Sequence, residues 1–269
     1  MAIELQNVSF RYPGSGYVAV ENVSMVIHPG EKVAIVGQNG AGKTTTVKMM
    51  NGIHKPFQGD VIVEGVNTKD VTTAAMAKYV GYVFQNPDDQ IFNSSVLAEI
   101  QYMLKRVKME PEEIERRTQK ALRMTHLESY EKSNPYEMPL PFRKFLTIAS
   151  VIATEPRYIV LDEPTAGQDM RGNQILKEII DELSAEGVGV ITISHDMEFV
   201  ADNFDRVIAM AHKNVIMDAS ARDVFWTKEI VEEARIGMPE ACVIADALGY
   251  RDEKLLFIDE LVEKVVTGS

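Results

Sequence analysis

Residues 2–10 and 22–28 alternate apolar and polar side chains, the pattern of half-buried strands. Between them lies the turn Tyr12-Pro13-Gly14-Ser15-Gly16, rich in residues that break regular structure. Lys32-Val33-Ala34-Ile35-Val36 is a short, mostly apolar run ending at Gly37, which predicts a buried strand. A glycine-rich loop follows, and the spacing then predicts a helix over about 43–50. Residues 61–64 and 80–84 read as further strands. From about 96 to 125 the pattern turns helical and highly charged, and Pro111-Glu112-Glu113 is suited to start a second helix there. Another helix is predicted over about 142–154. Strand patterns return at 158–161 and 188–193, with a helix between them at about 172–184.

Two β-rich parts thus flank a helical insert of roughly residues 86–152, an alternation that implies an α/β fold with a mostly parallel sheet. The pattern predicts one domain over 1–218 and a separate extension of short amphipathic helices over 219–269. Within that extension Leu255, Ile258, Leu261 and Val262 fall at helical spacing. Such a stripe suits packing onto the main domain and a partner interface equally well.

Composition narrows the function classes. With 269 residues, 45% apolar and 25% charged, the chain can bury a sizeable core. The formal net charge of −12 argues against a nucleic-acid partner, because backbone phosphates are held by clustered Lys and Arg. Cys242 is the single cysteine, so no internal disulfide can form, and a reduced thiol is expected. The N-terminus lacks the basic start and long apolar run of a signal peptide, and no stretch approaches the roughly 18 apolar residues that span a bilayer. A membrane role would therefore be expected to run through a partner.

The chemistry concentrates in two places. Gly37-Gln38-Asn39-Gly40-Ala41-Gly42-Lys43-Thr44 fits G-x-x-x-x-G-K-[ST] in full, between a predicted buried strand and a predicted helix. Its glycines let backbone N–H groups converge on phosphate, and the helix behind adds the positive end of its dipole. Lys43 is suited to the β- and γ-phosphates and Thr44 to Mg²⁺. Asn39, Gly40, Ala41, Gly42 and Thr45 complete the expected nucleotide-binding set. The second place is Tyr158-Ile159-Val160-Leu161-Asp162-Glu163, a buried strand that delivers two acids to its C-terminal end. There Asp162 is placed to hold Mg²⁺ and Glu163 to polarise an attacking water as general base.

Leu161-Asp162-Glu163-Pro164-Thr165-Ala166-Gly167 resembles the Walker B strand and D-loop of ABC ATPases. Other elements follow in that family's order: Gln85 resembles the Q-loop glutamine, also a magnesium contact, and His195 the switch histidine. Tyr12 resembles the aromatic residue that stacks on adenine. Asp169 lies at the D-loop aspartate position, with Gln168 where the family commonly has leucine. The resemblance covers about residues 2–217. It implies an α/β P-loop NTPase core, ATP and Mg²⁺ as cofactors, and catalysis by Glu163 with Lys43 and His195. Phe84-Gln85-Asn86-Pro87-Asp88-Asp89-Gln90-Ile91-Phe92 and the helical tail resemble one branch, the ATPases of energy-coupling factor transporters for vitamins and transition-metal ions. That branch implies a place on the cytoplasmic face of the membrane, beside an integral coupling protein and a substrate-binding membrane protein. A conventional ABC importer subunit and a soluble ABC ATPase outside transport are the alternatives.

One family motif departs from its pattern. Where members carry Leu-Ser-Gly-Gly-Gln at the head of a helix, this chain has Met138-Pro139-Leu140-Pro141-Phe142. Prolines have no N–H to give to phosphate, although they are tolerated at a helix start. In the family that signature grips the γ-phosphate bound by the opposing subunit. The resemblance therefore implies a heterodimer, with a second ATPase subunit supplying an intact signature.

Overall fold

The computed structural model describes residues 1–267. Strands β1 (Ile3–Arg11) and β2 (Val18–Ile27) pair antiparallel across the Tyr12–Gly16 turn. After β3 (Lys32–Val36) and helix α1 (Lys43–Met50), β4 (Gln58–Val63) and β5 (Val66–Asn67) complete a four-stranded sheet in the order β2-β1-β4-β5. All its pairings are antiparallel. The expected mostly parallel sheet thus accounts for only part of the β structure. Strands joined by a turn as short as that between β1 and β2 can pair only antiparallel, and their alternating pattern leaves one face polar.

The parallel sheet is built from the apolar runs. A short helix α2 (Thr73–Met76) leads into β6 (Val80–Val83). The chain then makes the helical insert α3 (Val96–Arg106), α4 (Pro111–Met124) and α5 (Leu140–Ile152) before β7 (Tyr158–Asp162). Helix α6 (Met170–Ala185), strand β8 (Gly189–Ile193), helix α7 (Met197–Asn203) and the pair β9 (Arg206–Ala211) and β10 (Asn214–Ser220) follow. The six-stranded order is β10-β9-β3-β8-β7-β6, parallel except for β10. β7 and β8 are buried at every position because both faces are covered. Along β3 the layers alternate: Val33 and Ile35 face the core shared with the antiparallel sheet, Ala34 and Val36 the core under the helices.

The helices obey their local signals. Ser95 caps α3 by accepting from the Ala98 N–H, and Pro111 opens α4 as its composition predicts. α5 starts at Leu140, two residues before the expected Phe142, because Pro139 and Pro141 both fit a helix start. Lys120–Glu186 and Arg123–Glu182 ion pairs tie the insert to α6.

β10 runs through position 218 to Ser220, and α8 (Ala221–Trp226), α9 (Lys228–Ala234), α10 (Glu240–Ala247) and α11 (Ile258–Thr267) follow. Ala221, Phe225, Ala234, Cys242, Leu255 and Leu261 join the same core as the parallel sheet's helical face. The amphipathic stripe therefore divides: Leu255 and Leu261 are buried, whereas Ile258 and Val262 are exposed. The Cys242 thiol is fully buried, and burial pushes its pKa up to about 12, so it is an unreactive packing group. Among the described residues no helix is long and apolar enough to cross a membrane.

Candidate active site

Strand order places the chemistry. β3, β8, β7 and β6 are neighbours that all point the same way, so the loops after their C-terminal ends converge, as ligand sites in open parallel sheets do. In register, Ile35 pairs with Ile193, and Ile193 with Asp162. The glycine loop, the two acids and His195 thus start at one level.

The loop's shape depends on glycine at two positions. Gly37 has φ 144°, and a Cβ there would lie 2.2 Å from the Met210 carbonyl oxygen of β9. Gly42 has φ 103°, and a Cβ would press within 2.9 Å of the Ala19 carbonyl oxygen. The Lys43 ammonium is folded back under the loop, donating to the carbonyls of Gly37 at 2.6 Å and Gln38 at 3.1 Å. Burial lowers its pKa, opposed by the nearby Glu163 and Asp162 carboxylates.

Asn39, Gly40, Gly42, Lys43, Thr44, Thr45, Gln85, Asp162, Glu163 and His195, with Ile193 as floor, line one cavity of about 290 Å³. Nearly all the residues expected from the sequence therefore meet there. Gly37 and Ala41 are buried members of the loop outside that lining, and the Ala41 N–H is turned onto the Gln38 carbonyl. Tyr12 lies beside the cavity. Its hydroxyl is 2.9 Å from Thr45 Oγ1, and its ring meets Phe10 and His54 edge-on. Those rings, with Arg11 and Phe57, border an adjoining cavity of about 390 Å³.

Glu163 sits in the left-handed region at φ 53°, a costly conformation for a non-glycine residue. Its N–H donates to the Ile193 carbonyl at 2.9 Å, and its carboxylate accepts from the His195 N–H at 3.3 Å. His195 Nε2 is also 3.3 Å from Glu163 Oε1. Burial raises the Glu163 pKa, while the His195 N–H and Lys43 act against that rise. Burial, and then Lys43, lower the pKa of His195, so its neutral form dominates near neutrality.

Two residues at this site carry no motif. The Tyr82 hydroxyl, on β6, donates to Asp162 Oδ2 at 2.6 Å. The Lys144 ammonium, on α5, donates to the Glu163 carbonyl at 2.8 Å and is almost wholly buried. Lys144 does leave a sequence signal: it lies four residues from both Leu140 and Ile148, on a largely apolar helix where an unpaired charge would be costly. Tyr82 leaves none, because its approach to Asp162 depends on the pairing of Val83 with Leu161 across two distant segments.

The 138–142 segment leads into α5. The Met138 N–H is committed to the Pro135 carbonyl at 3.1 Å, and α5 begins with no side-chain cap. The segment also touches the D-loop of the same chain. Gln168 Nε2 donates to the Pro141 carbonyl at 3.4 Å, and a Cβ on Gly167 would lie 3.4 Å from Leu140 Cδ2. The two departures from the family pattern thus meet each other. Asp169 caps α6 by accepting from the Gly172 N–H at 2.7 Å.

Comparison with known proteins agrees with this geometry. A family model described as ABC transporter matches residues 20–166, a span holding the glycine loop and both acids. An ABC transporter ATP-binding protein of Pyrococcus furiosus is 38% identical over 250 residues, covering 93% of this chain and 94% of that one. The structure of cbiO1 from Clostridium perfringens, part of the ABC transporter complex cbiONQ, superposes with a TM-score of 0.78 at 28% identity, covering 93% of this chain and 98% of that one. A dimeric ATP-binding cassette in a post-hydrolysis state, bound to ADP and Pi, matches with a TM-score of 0.71 at 26% identity over 81% of this chain and 98% of that one.

Proposed function

The chain belongs to the ABC transporter family as an ATP-binding, ATP-hydrolysing cassette, and from that premise we propose that it is one ATPase half of an energy-coupling factor transporter for a vitamin or a transition-metal ion. The observation that carries the reading is an asymmetry within one chain. The cavity around Lys43, Asp162, Glu163 and His195 is complete, whereas the 138–142 segment lacks the phosphate donors that the family places there. The likeness to cbiO1 over 93% of the chain, and the 84–92 motif, support the transporter branch.

Working cassettes of this kind pair head to tail, each P-loop facing the other subunit's signature. A homodimer of this chain would place two donor-poor segments over two complete sites. A partner cassette with an intact signature makes one productive site with this chain's Glu163. The other, facing residues 138–142, is slow or silent. As part of such a transporter, the cassette would work at the cytoplasmic face against an integral coupling protein. Exposed Phe92, Met103, Val107 and Tyr136 on the helical insert offer such a partner an apolar surface.

At the productive site Gly40, Gly42 and Lys43 hold the phosphates, and Tyr12 lies beside the cavity where it can pack on the base. The oxygen donors Thr44, Asp162 and Gln85 border the same space and suit a hard divalent cation that shares the phosphates. When bound, Mg²⁺ supplies charge neutralisation at the transferred phosphoryl group. Glu163, its pKa raised by burial, takes the proton of the attacking water. Lys43 and neutral His195 donate to the charge that develops on the γ-phosphate.

The chain purified alone is expected to bind ATP and turn it over slowly, with rapid turnover appearing on addition of a cassette bearing an intact signature. Brisk turnover by the chain alone sinks the heterodimer. In the active pair, Glu163→Gln should keep ATP binding and lose turnover, measured as phosphate release. Persistent turnover would remove Glu163 from the role of base.

A further inference from the structure

We propose that Lys144 is a positioning residue that holds Glu163 in its working orientation and ties the helix behind the signature segment to this chain's own hydrolytic site. The inference rests on the reading of Glu163 as the base.

Three observations carry it. First, Glu163 occupies left-handed backbone at φ 53°, which a non-glycine residue keeps only when its surroundings hold it there. Its N–H is pinned to Ile193 on β8, and its carbonyl is pinned by Lys144 at 2.8 Å. Both peptide groups flanking the Glu163 side chain are thus fixed from different elements. From this fixed backbone the carboxylate accepts from the His195 N–H at 3.3 Å and lies 3.3 Å from His195 Nε2.

Second, the bond is strong of its kind. An ammonium donating to a carbonyl is charge-assisted, and Lys144 is buried with 6% relative exposure. A buried cation is costly: burial lowers the Lys144 pKa, and the nearby Glu163 and Asp162 carboxylates oppose that fall. Two buried lysines, Lys43 from α1 and Lys144 from α5, thus stand against two buried acids. Lys43 has its own work on the glycine loop and does not reach the Glu163 carbonyl. Lys144 is the charged side chain that does.

Third, α5 carries this contact close to its start. Leu140 and Lys144 lie one turn apart, about 6 Å along the axis. The turn at Leu140 faces the partner's nucleotide in the proposed pairing and meets the D-loop where Gln168 bonds the Pro141 carbonyl. A shift at the head of α5 therefore reaches the base through one helical turn and one hydrogen bond. The Ala166 N–H points at the same Glu163 carbonyl at 3.4 Å, so the D-loop shares the anchor.

The test uses the chain in its active pair with the partner cassette. Lys144→Met keeps length and removes the donor, and Lys144→Gln keeps a donor and removes the charge. The expected result for Lys144→Met is a fall in kcat of about tenfold to a hundredfold, the scale of a misaimed catalytic group. KM and ATP affinity should stay within about twofold, since no ATP contact is removed. Lys144→Gln should recover part of the rate. Amide exchange at Ala166 in the nucleotide-free chain should quicken in the order wild type, Gln, Met. Should Lys144→Met fail to fold, the comparison of wild type with Lys144→Gln carries the same criteria. An unchanged kcat, or kcat and ATP affinity falling together, overturns the proposal. Turnover by Glu163→Gln in the same pair overturns the reading beneath it, whereas a silent Glu163→Gln beside a fully active Lys144→Met overturns only the role of Lys144.

Discussion

Tyr82 and Asp162 show how much of the site lies in single atoms. Asp162 delivers two carboxylate oxygens, and the Tyr82 hydroxyl occupies one of them at 2.6 Å. Burial and the adjacent carboxylate push the Tyr82 pKa up, so the phenol stays protonated and donates. With Oδ2 occupied, Oδ1 is the oxygen left for a cation. Tyr82→Phe removes the donor and keeps the ring against Phe84. A hydrogen bond to a charged group contributes about 1.5–3 kcal/mol. Even partial loss should raise the Mg²⁺ concentration for half-maximal turnover by about threefold to tenfold. ATP binding without metal should not change. A magnesium titration of phosphate release in the active pair checks this, and an unaltered midpoint would mean that Tyr82 only packs.

At the scale of elements, Glu260 ties the start of the last helix to α8. Glu260 accepts from the Leu256 N–H at 2.8 Å and the Phe257 N–H at 3.2 Å, and faces Arg222 of α8 in a two-pronged ion pair. The Arg222 bond, with the two N–H donors, lowers its pKa to about 2 from an ordinary 4.5. A lowered carboxyl pKa stabilises the fold above the ordinary value and loses that contribution as pH falls towards the lowered one. The junction of α8 and α11 should therefore loosen between about pH 4.5 and 2. Trp226 is the single tryptophan and bonds the Leu255 carbonyl at 3.0 Å, so its fluorescence reports the change. Glu260→Gln should show the loosened signal already at neutral pH. What was legible in the sequence followed the same division between local and distant causes. β3, the glycine loop, α1 and the start of α4 are set by neighbours in the chain and stand where their patterns predict. The split into an antiparallel and a parallel sheet was not legible, since it depends on which distant strands pair. The division of the Leu255 to Val262 stripe was equally hidden, because periodicity marks an apolar face and not what covers each part of it.

For the whole molecule the question is why a full glycine loop and acid pair stand in one chain with a 138–142 segment poor in N–H donors. If the prolines are the whole reason, restoring donors should let the chain pair productively with itself. Replacing Pro139, Leu140, Pro141 and Phe142 by Ser, Gly, Gly and Gln returns two N–H groups and a hydroxyl to the head of α5, where the helix dipole favours an anion. The glycines each cost about 1 kcal/mol of helix stability, a loss that α5 can bear because most of its length is buried. They also withdraw Leu140 from Gly167, and Gln168 is then left beside a smaller neighbour. A second variant adding Gln168→Leu therefore refills the space with an apolar side chain. The expected outcome is turnover by the chain alone, raised at least about tenfold, as a tighter grip worth about 1.4 kcal/mol would give. The rate should rise with the square of protein concentration while dimers are scarce. Adding Glu163→Gln to the same variant should trap an ATP-dependent dimer visible by size-exclusion chromatography. If the restored chain stays monomeric and slow with both D-loop residues, the barrier to self-pairing lies outside the signature.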